Sequence, residues 1–282
     1  MSASGPSQRQ AEYLQAMGIQ TWVRKTPLVA ETVAEPSLAT APESAPLPVP
    51  DSGSESASPT PQSAPQPATE AARSAVHAPV VSGTAIPGRD VSRLGWPQLR
   101  SAVASCTACV LHESRSQTVF GVGDQQAQWL IIGEAPGTDE DQQGEPFVGR
   151  AGKLLTNMLQ AAGLKREQAY ITNILKCHPP DNRDPRPDEI AQCEGFLRRQ
   201  VELIQPKVIL AVGRIAAHSL LQSKDPLGRL RGKLHHYRHN KGETPVVVTY
   251  HPAYLLRTPR DKAKAWEDLR LALKVVQEET VP

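Results

Sequence analysis

Trp129-Leu130-Ile131-Ile132-Gly133-Glu134-Ala135-Pro136-Gly137, continued as TDEDQQGEPFVGRAG to Gly152, is the stretch that decides the fold. Its four apolar residues form a short run of the kind that makes a buried strand. The chain then breaks into a segment with Gly133, Gly137, Gly144, Gly149 and Gly152, two prolines and five carboxylates. From about Ala151 to Ala162 the pattern turns helical, with Leu154, Leu155, Met158 and Leu159 on one face. Strand, glycine-rich loop and helix is how an open α/β sheet presents a ligand at the carboxyl end of a strand. An acidic loop repels phosphate, so a nucleotide P-loop is the wrong analogy. Phe147 stands out as an aromatic among Gly, Pro and charged residues.

The same alternation recurs downstream. AYITNIL (169–175), KVILAVG (207–213) and PVVVTY (245–250) read as three further strands. Helices are expected over 188–204, 214–221 and 260–277, and a first one over 91–104. Alternating strands and helices imply an α/β fold with a mostly parallel, doubly wound sheet. Three strand ends carry polar punctuation: the acidic loop, Asn173 with Lys176-Cys177-His178-Pro179-Pro180, and His251-Pro252. In such a sheet those ends converge on one crevice.

Residues 26–90 are rich in Pro, Ala, Ser and Thr and lack aliphatic periodicity, which predicts a disordered linker between a short N-terminal peptide (1–25) and a globular domain (91–282). The domain holds 26 Lys+Arg against 21 Asp+Glu, while residues 1–90 hold 5 against 8. A mildly basic domain is compatible with a polyanionic partner and does not establish one. No stretch is apolar enough to span a membrane and MSASGPSQRQ lacks a secretory core, so a cytoplasmic location is expected. In that compartment thiols stay reduced, and the four cysteines read as metal ligands rather than disulfide partners.

Those cysteines are one close pair, Cys106 and Cys109, plus Cys177 and Cys193, which are separated by fifteen residues. Four thiolates suit zinc or an iron–sulfur cluster. A zinc ribbon usually shows two close pairs, whereas a cubane accepts dispersed ligands. On the acidic loop, Glu134 follows the buried strand immediately and is the candidate to orient or activate water. Glu140 and Asp141 are further candidates, and magnesium chelation by this cluster is the rival reading. Phe147 is either a stacking platform for a planar ligand or a staple for its loop. The Asn173 amide offers the donor and acceptor that read a pyrimidine edge, or it caps its strand. His251, held rigid by Pro252, lies at the ligand-facing edge of the sheet. The other histidines read as surface.

Together CTAC, GEAPGTDEDQQGEPFVGRAG, ITNILKCHPP and HPAYLLR resemble the family 4 uracil-DNA glycosylases, the iron–sulfur type of the uracil-DNA glycosylase superfamily, over roughly Leu94 to Val276. The resemblance implies a three-layer α/β/α domain with a four-stranded parallel sheet, and a [4Fe–4S] cluster on Cys106, Cys109, Cys177 and Cys193. It implies that Phe147 stacks on uracil, that Asn173 bonds its Watson–Crick edge, and that His251 steadies the negative charge on the departing base. Ala135 backbone contacts to the base, Leu255 as a duplex wedge, and Arg257 and Lys176 as phosphate contacts follow from the same comparison. In the best-known branch of the superfamily a water-activating Asp falls where this chain has Ala135, so Glu134, or Glu140 with Asp141, must do that work unless no base does. The activity implied is monofunctional hydrolysis of uracil from single- or double-stranded DNA in base excision repair, by a monomer. The competing reading is a non-catalytic DNA-binding adaptor. Within residues 8–25, the run LQAMGIQTWVRKTP resembles the N-terminal peptide of the psi subunit of bacterial replicative polymerase, which binds the clamp loader; such a replication partner is therefore expected there.

Overall fold

The computed structural model describes Ala11, Glu12, Leu14, Gln15 and residues 90–278. The linker expected over 26–90 lies outside the described residues, apart from Asp90. Of the peptide expected to dock a partner, the four described residues are helical. Leu14 is buried in the core of the domain itself, at 3% exposure.

Among the described residues there are six strands, β1 (Val122–Gly123), β2 (Trp129–Gly133), β3 (Ala169–Asn173), β4 (Val208–Val212), β5 (Leu234–His239) and β6 (Gly242–Thr249). They make one sheet in the order β1-β3-β2-β4-β6-β5. The four strands legible in the sequence, β3-β2-β4-β6, run parallel and form the centre. The expectation of four strands is corrected at both edges, where β1 and β5 are antiparallel. Val-Gly is too short to show a pattern. Leu-His-His-Tyr-Arg-His alternates exposed and half-buried positions, but with imidazole and phenol in place of aliphatic residues.

The pleat divides the core. Trp129 and Ile131, with Ile171, Leu210 and Val247, face a layer formed by helix Arg150–Ala161 and the C-terminal helix Lys262–Glu278. Leu130 and Ile132, with Tyr170, Ile209, Val246 and Val248, face helices Pro187–Ile204 and Arg214–Leu221 on the other side. Successive strand side chains point to opposite faces, so the central strands are apolar on both sides over most of their length. The result is three layers, α/β/α. The first helix begins at Trp96 rather than Val91, because Gly95 is its extended N-cap and Pro97 fits the first turn. A third, smaller core packs that helix's Leu99 and Val103 with Cys106, Phe120 and Phe196.

Candidate active site

Sequential strands β2 and β3 lie side by side, whereas β4 joins β2 on its opposite flank. The strand order therefore reverses between β2 and β4, which opens a crevice at their carboxyl ends. That crevice encloses about 860 Å³ and is lined by Glu134, Ala135, Glu140, Phe147, Asn173, His251 and Arg257, together with Asp139, Arg150, Arg183, Arg214, Tyr250 and Tyr254. Seven residues named from the sequence thus meet in one place. Asp141 and Leu255 are not among the lining residues.

Asn173 ends β3 directly opposite Gly133 in the parallel ladder. Its amide is buried, and neither Oδ1 nor Nδ2 has a hydrogen-bond partner. An orphaned buried amide costs about 1–3 kcal/mol, so such a group is retained where a ligand completes it. Gly133 makes the space in front of it: a Cβ there would stand 2.4 Å from Asn173 Oδ1 and 2.6 Å from Phe147 Cζ. Phe147 occupies the left-handed region, with φ 56°. Gly152 allows that close turn, since a Cβ at Gly152 would run into the Phe147 carbonyl. The loop is fixed by Glu140, whose Oε1 accepts the amides of Val148 (2.9 Å) and Gly149 (3.2 Å) and whose Oε2 accepts that of Gly137 (3.0 Å). Part of the acidic stretch is thus a short helix, Thr138–Gln143, that presents Glu140 to the loop.

The His251 ring lies 5.7 Å from the Phe147 ring, tilted by 30°. Its Nδ1 accepts the Ala253 amide at 3.2 Å, which leaves the proton of the neutral ring on Nε2. Burial, helped by the positive charge of Arg257, lowers its pKa to about 4, so the ring is neutral at physiological pH. Glu134 moves the other way. Burial and the negative charge of Asp184 raise its pKa to about 7, partly opposed by Arg214.

Two expected roles are corrected by position. Lys176 cannot reach a phosphate, because it is 1% exposed and its ammonium is bonded inside the protein. Leu255 is fully buried and belongs to the core, so it cannot wedge a duplex from where it stands; its neighbour Leu256 is 36% exposed. Asp141, also buried, accepts the Ser116 amide at 2.8 Å through Oδ2 and ties its short helix to the segment around Ser116. Arg214 was missed. It follows the strand KVILAVG as Glu134 follows WLIIG, so the strand-end rule that singled out Glu134 applies to it equally. Its guanidinium bonds Asp184 at 2.6 Å at the rim.

The cysteines form a second assembly at the edge of the sheet. All four are free thiols; Cys106, Cys177 and Cys193 are buried and Cys109 is half-buried. Burial raises Cys193 to about 12, and Cys177 and Cys109 are pushed up for the same reason, each also feeling the charges of other cysteines in the set. Hydrogen-bond donors are already aimed at the sulfurs. Arg115 Nη1 donates to Cys177 Sγ at 3.0 Å, and the Lys176 amide donates to Cys193. Among the described residues no three His, Cys, Asp or Glu side chains are grouped to hold a single metal ion. Four thiols, two of which already accept hydrogen bonds on sulfur, are a ligand set suited to zinc or to an iron–sulfur cluster.

A buried aromatic ring, an unpaired amide and a neutral imidazole line one strand-end crevice of this α/β fold. The uracil DNA glycosylase superfamily model matches residues 120–270. The type-4 uracil-DNA glycosylase of Archaeoglobus fulgidus is 44% identical over 172 residues, covering 60% of this chain and 86% of that protein. Those of Sulfurisphaera tokodaii (40% over 178 residues; 61% and 81% covered) and Thermotoga maritima (41% over 180; 63% and 92%) are similar to the same degree. The chain belongs to the uracil DNA glycosylase superfamily.

Proposed function

We propose that this chain is a monofunctional uracil-DNA glycosylase, which hydrolyses the N-glycosidic bond of uracil in DNA and leaves an abasic site. The observation that carries this reading is the orphaned Asn173 amide in the crevice that Phe147 and His251 also line. Uracil presents N3–H and O4 along one edge, and one amide complements both. Extruding the base costs a few kcal/mol, least from a mispair or a single strand. Phe147 then stacks on the ring and Ala135 brings its backbone to the base. At the rim, Arg257 is the arginine offered to a DNA backbone, whereas Arg183 and Arg214 are paired with Glu189 and Asp184.

In the bond-breaking step the C1′–N1 electrons leave with the base. His251 donates from Nε2 to the developing negative charge on O2. Water adds to C1′ and gives its proton to the Glu134 carboxylate, and N1 of the released base is protonated by solvent. Because His251 is neutral, it stabilises the anion by hydrogen bonding without transferring a proton.

The four cysteines would hold a [4Fe–4S] cluster, whose contribution when bound is to staple the segment before β2 to the loop after β3. The dispersed thiols and the donors on their sulfurs support that assignment. Residues 8–25 are proposed to recruit a clamp-loader or other replication protein to a monomeric enzyme at the nucleoid in the cytoplasm. The run LQAMGIQTWVRKTP supports this, and Leu14 would have to leave its core site for such a partner. No described helix is long and apolar enough to cross a membrane.

The test is a uracil-containing oligonucleotide treated with the purified brown protein, absorbing near 400 nm, and then with alkali. Strand breakage at uracil and not at thymine is expected. An intact strand, with that absorbance present, would overturn the assignment. A pH profile checks Glu134. With its pKa at about 7, the carboxylate that accepts the proton forms only on the alkaline side, so the single-turnover rate should climb through neutral pH. Glu134→Gln should flatten that limb and lower its plateau by about 10²-fold; an unchanged limb would remove Glu134 as the base.

A further inference from the structure

We infer that Lys176 is a positioning residue that holds Asn173 in register to read the pyrimidine, a role that rests on the base-binding reading above. Lys176 is 1% exposed, and its ammonium donates to Thr172 Oγ1 (2.6 Å), the Asn173 carbonyl (2.8 Å) and Gln200 Oε1 (2.7 Å), which uses all three protons. Gln200 Nε2 and Thr172 Oγ1 both donate to the Phe120 carbonyl, at 2.9 and 3.0 Å, so the ammonium is anchored on three separate stretches of chain. Asn173 needs that anchor. Its side chain has no protein partner of its own, so its aim depends on its backbone. The chain stays bonded to β2 past Asn173 through Ile174 N to Gly133 O and Leu175 N to Glu134 O, and the Asn173 carbonyl accepts from the lysine.

Lys176→Met leaves the Asn173 carbonyl and Gln200 Oε1 without their donor, so a cost in stability is expected whether or not the lysine aims Asn173. What marks an aiming role is an effect on uracil affinity that disappears when the Asn173 side chain is removed.

The experiment uses the full chain with its cluster, and free uracil as the competitor in the glycosylase assay. Lys176→Met is expected to raise the inhibition constant of uracil by about tenfold, the value of one charged hydrogen bond to the reader's backbone. Affinity for an abasic-site duplex, which contains no base, should be unchanged. In an Asn173→Ala background the same substitution should cost less than about twofold, because two residues acting through one contact are not additive. An unchanged constant in the native background, or a full tenfold loss without Asn173, would overturn the inference. If Lys176→Met loses the absorbance near 400 nm, Thr172→Val decides: weakening of about threefold is expected with Asn173 present and none without it. Equal effects in both backgrounds would count against the lysine. A native enzyme that releases no uracil would instead sink the function proposed above and leave the lysine's contacts as they are.

Discussion

His251→Ala is expected to lower the single-turnover rate of uracil release by about 10²–10³-fold, equivalent to about 3–4 kcal/mol of transition-state stabilisation. Affinity for uracil-containing DNA should stay close to that of the native enzyme. The imidazole is held for this purpose before substrate arrives. The Ala253 amide fixes its tautomer, burial and Arg257 keep it neutral, and Gly213 lets it sit close, since a Cβ there would come within 3.1 Å of His251 Cβ. A donor already aimed at developing charge costs no reorganisation when the bond breaks. Because the ring's pKa is about 4, acidification from neutral pH to 5 should not protonate it, and any loss of rate in that range belongs to Glu134. Rapid-quench kinetics alongside binding titrations would separate the two quantities. Equal losses of rate and affinity would show that His251 only caps helix Pro252–Arg257.

Asn173→Asp is expected to reduce kcat/KM for uracil by about 10³-fold, roughly 4 kcal/mol, because the donor facing O4 becomes an acceptor and a charge. The same substitution breaks no protein contact, since neither side-chain atom holds anything in the protein, so its cost to stability is that of burying an unpaired carboxyl. Thermal melts and kinetics on uracil and cytosine substrates would check this. Uracil preference unchanged in the variant would sink the reading role of Asn173.

Much of the fold was legible because burial on both faces demands unbroken apolar runs, and WLII, AYIT, VILAV and PVVV are such runs. The edge strands were not, because β1 has two residues and β5 turns only histidine and tyrosine inward. The crevice was legible from the rule that ligands sit at strand ends, and Glu134, Asn173 and His251, singled out by that rule, line it together. What the sequence could not show was which way a side chain points. Lys176 has the composition of a phosphate contact, yet its ammonium folds back onto the Asn173 carbonyl. Leu255 and Leu256 are equivalent in the sequence, and only helix Pro252–Arg257 decides that the first is core. Glu140 was a candidate to activate water, whereas its oxygens are spent on three loop amides. Arg214 was visible in principle, at a strand end like Glu134.

The most direct test of the whole arrangement is diffraction from crystals of the chain soaked with free uracil. The ring is expected on the face of Phe147, with N3–H and O4 paired to the Asn173 amide and O2 within hydrogen-bond reach of His251 Nε2. Uracil bound elsewhere, or bound in the crevice with the Asn173 amide still unpaired, would contradict it.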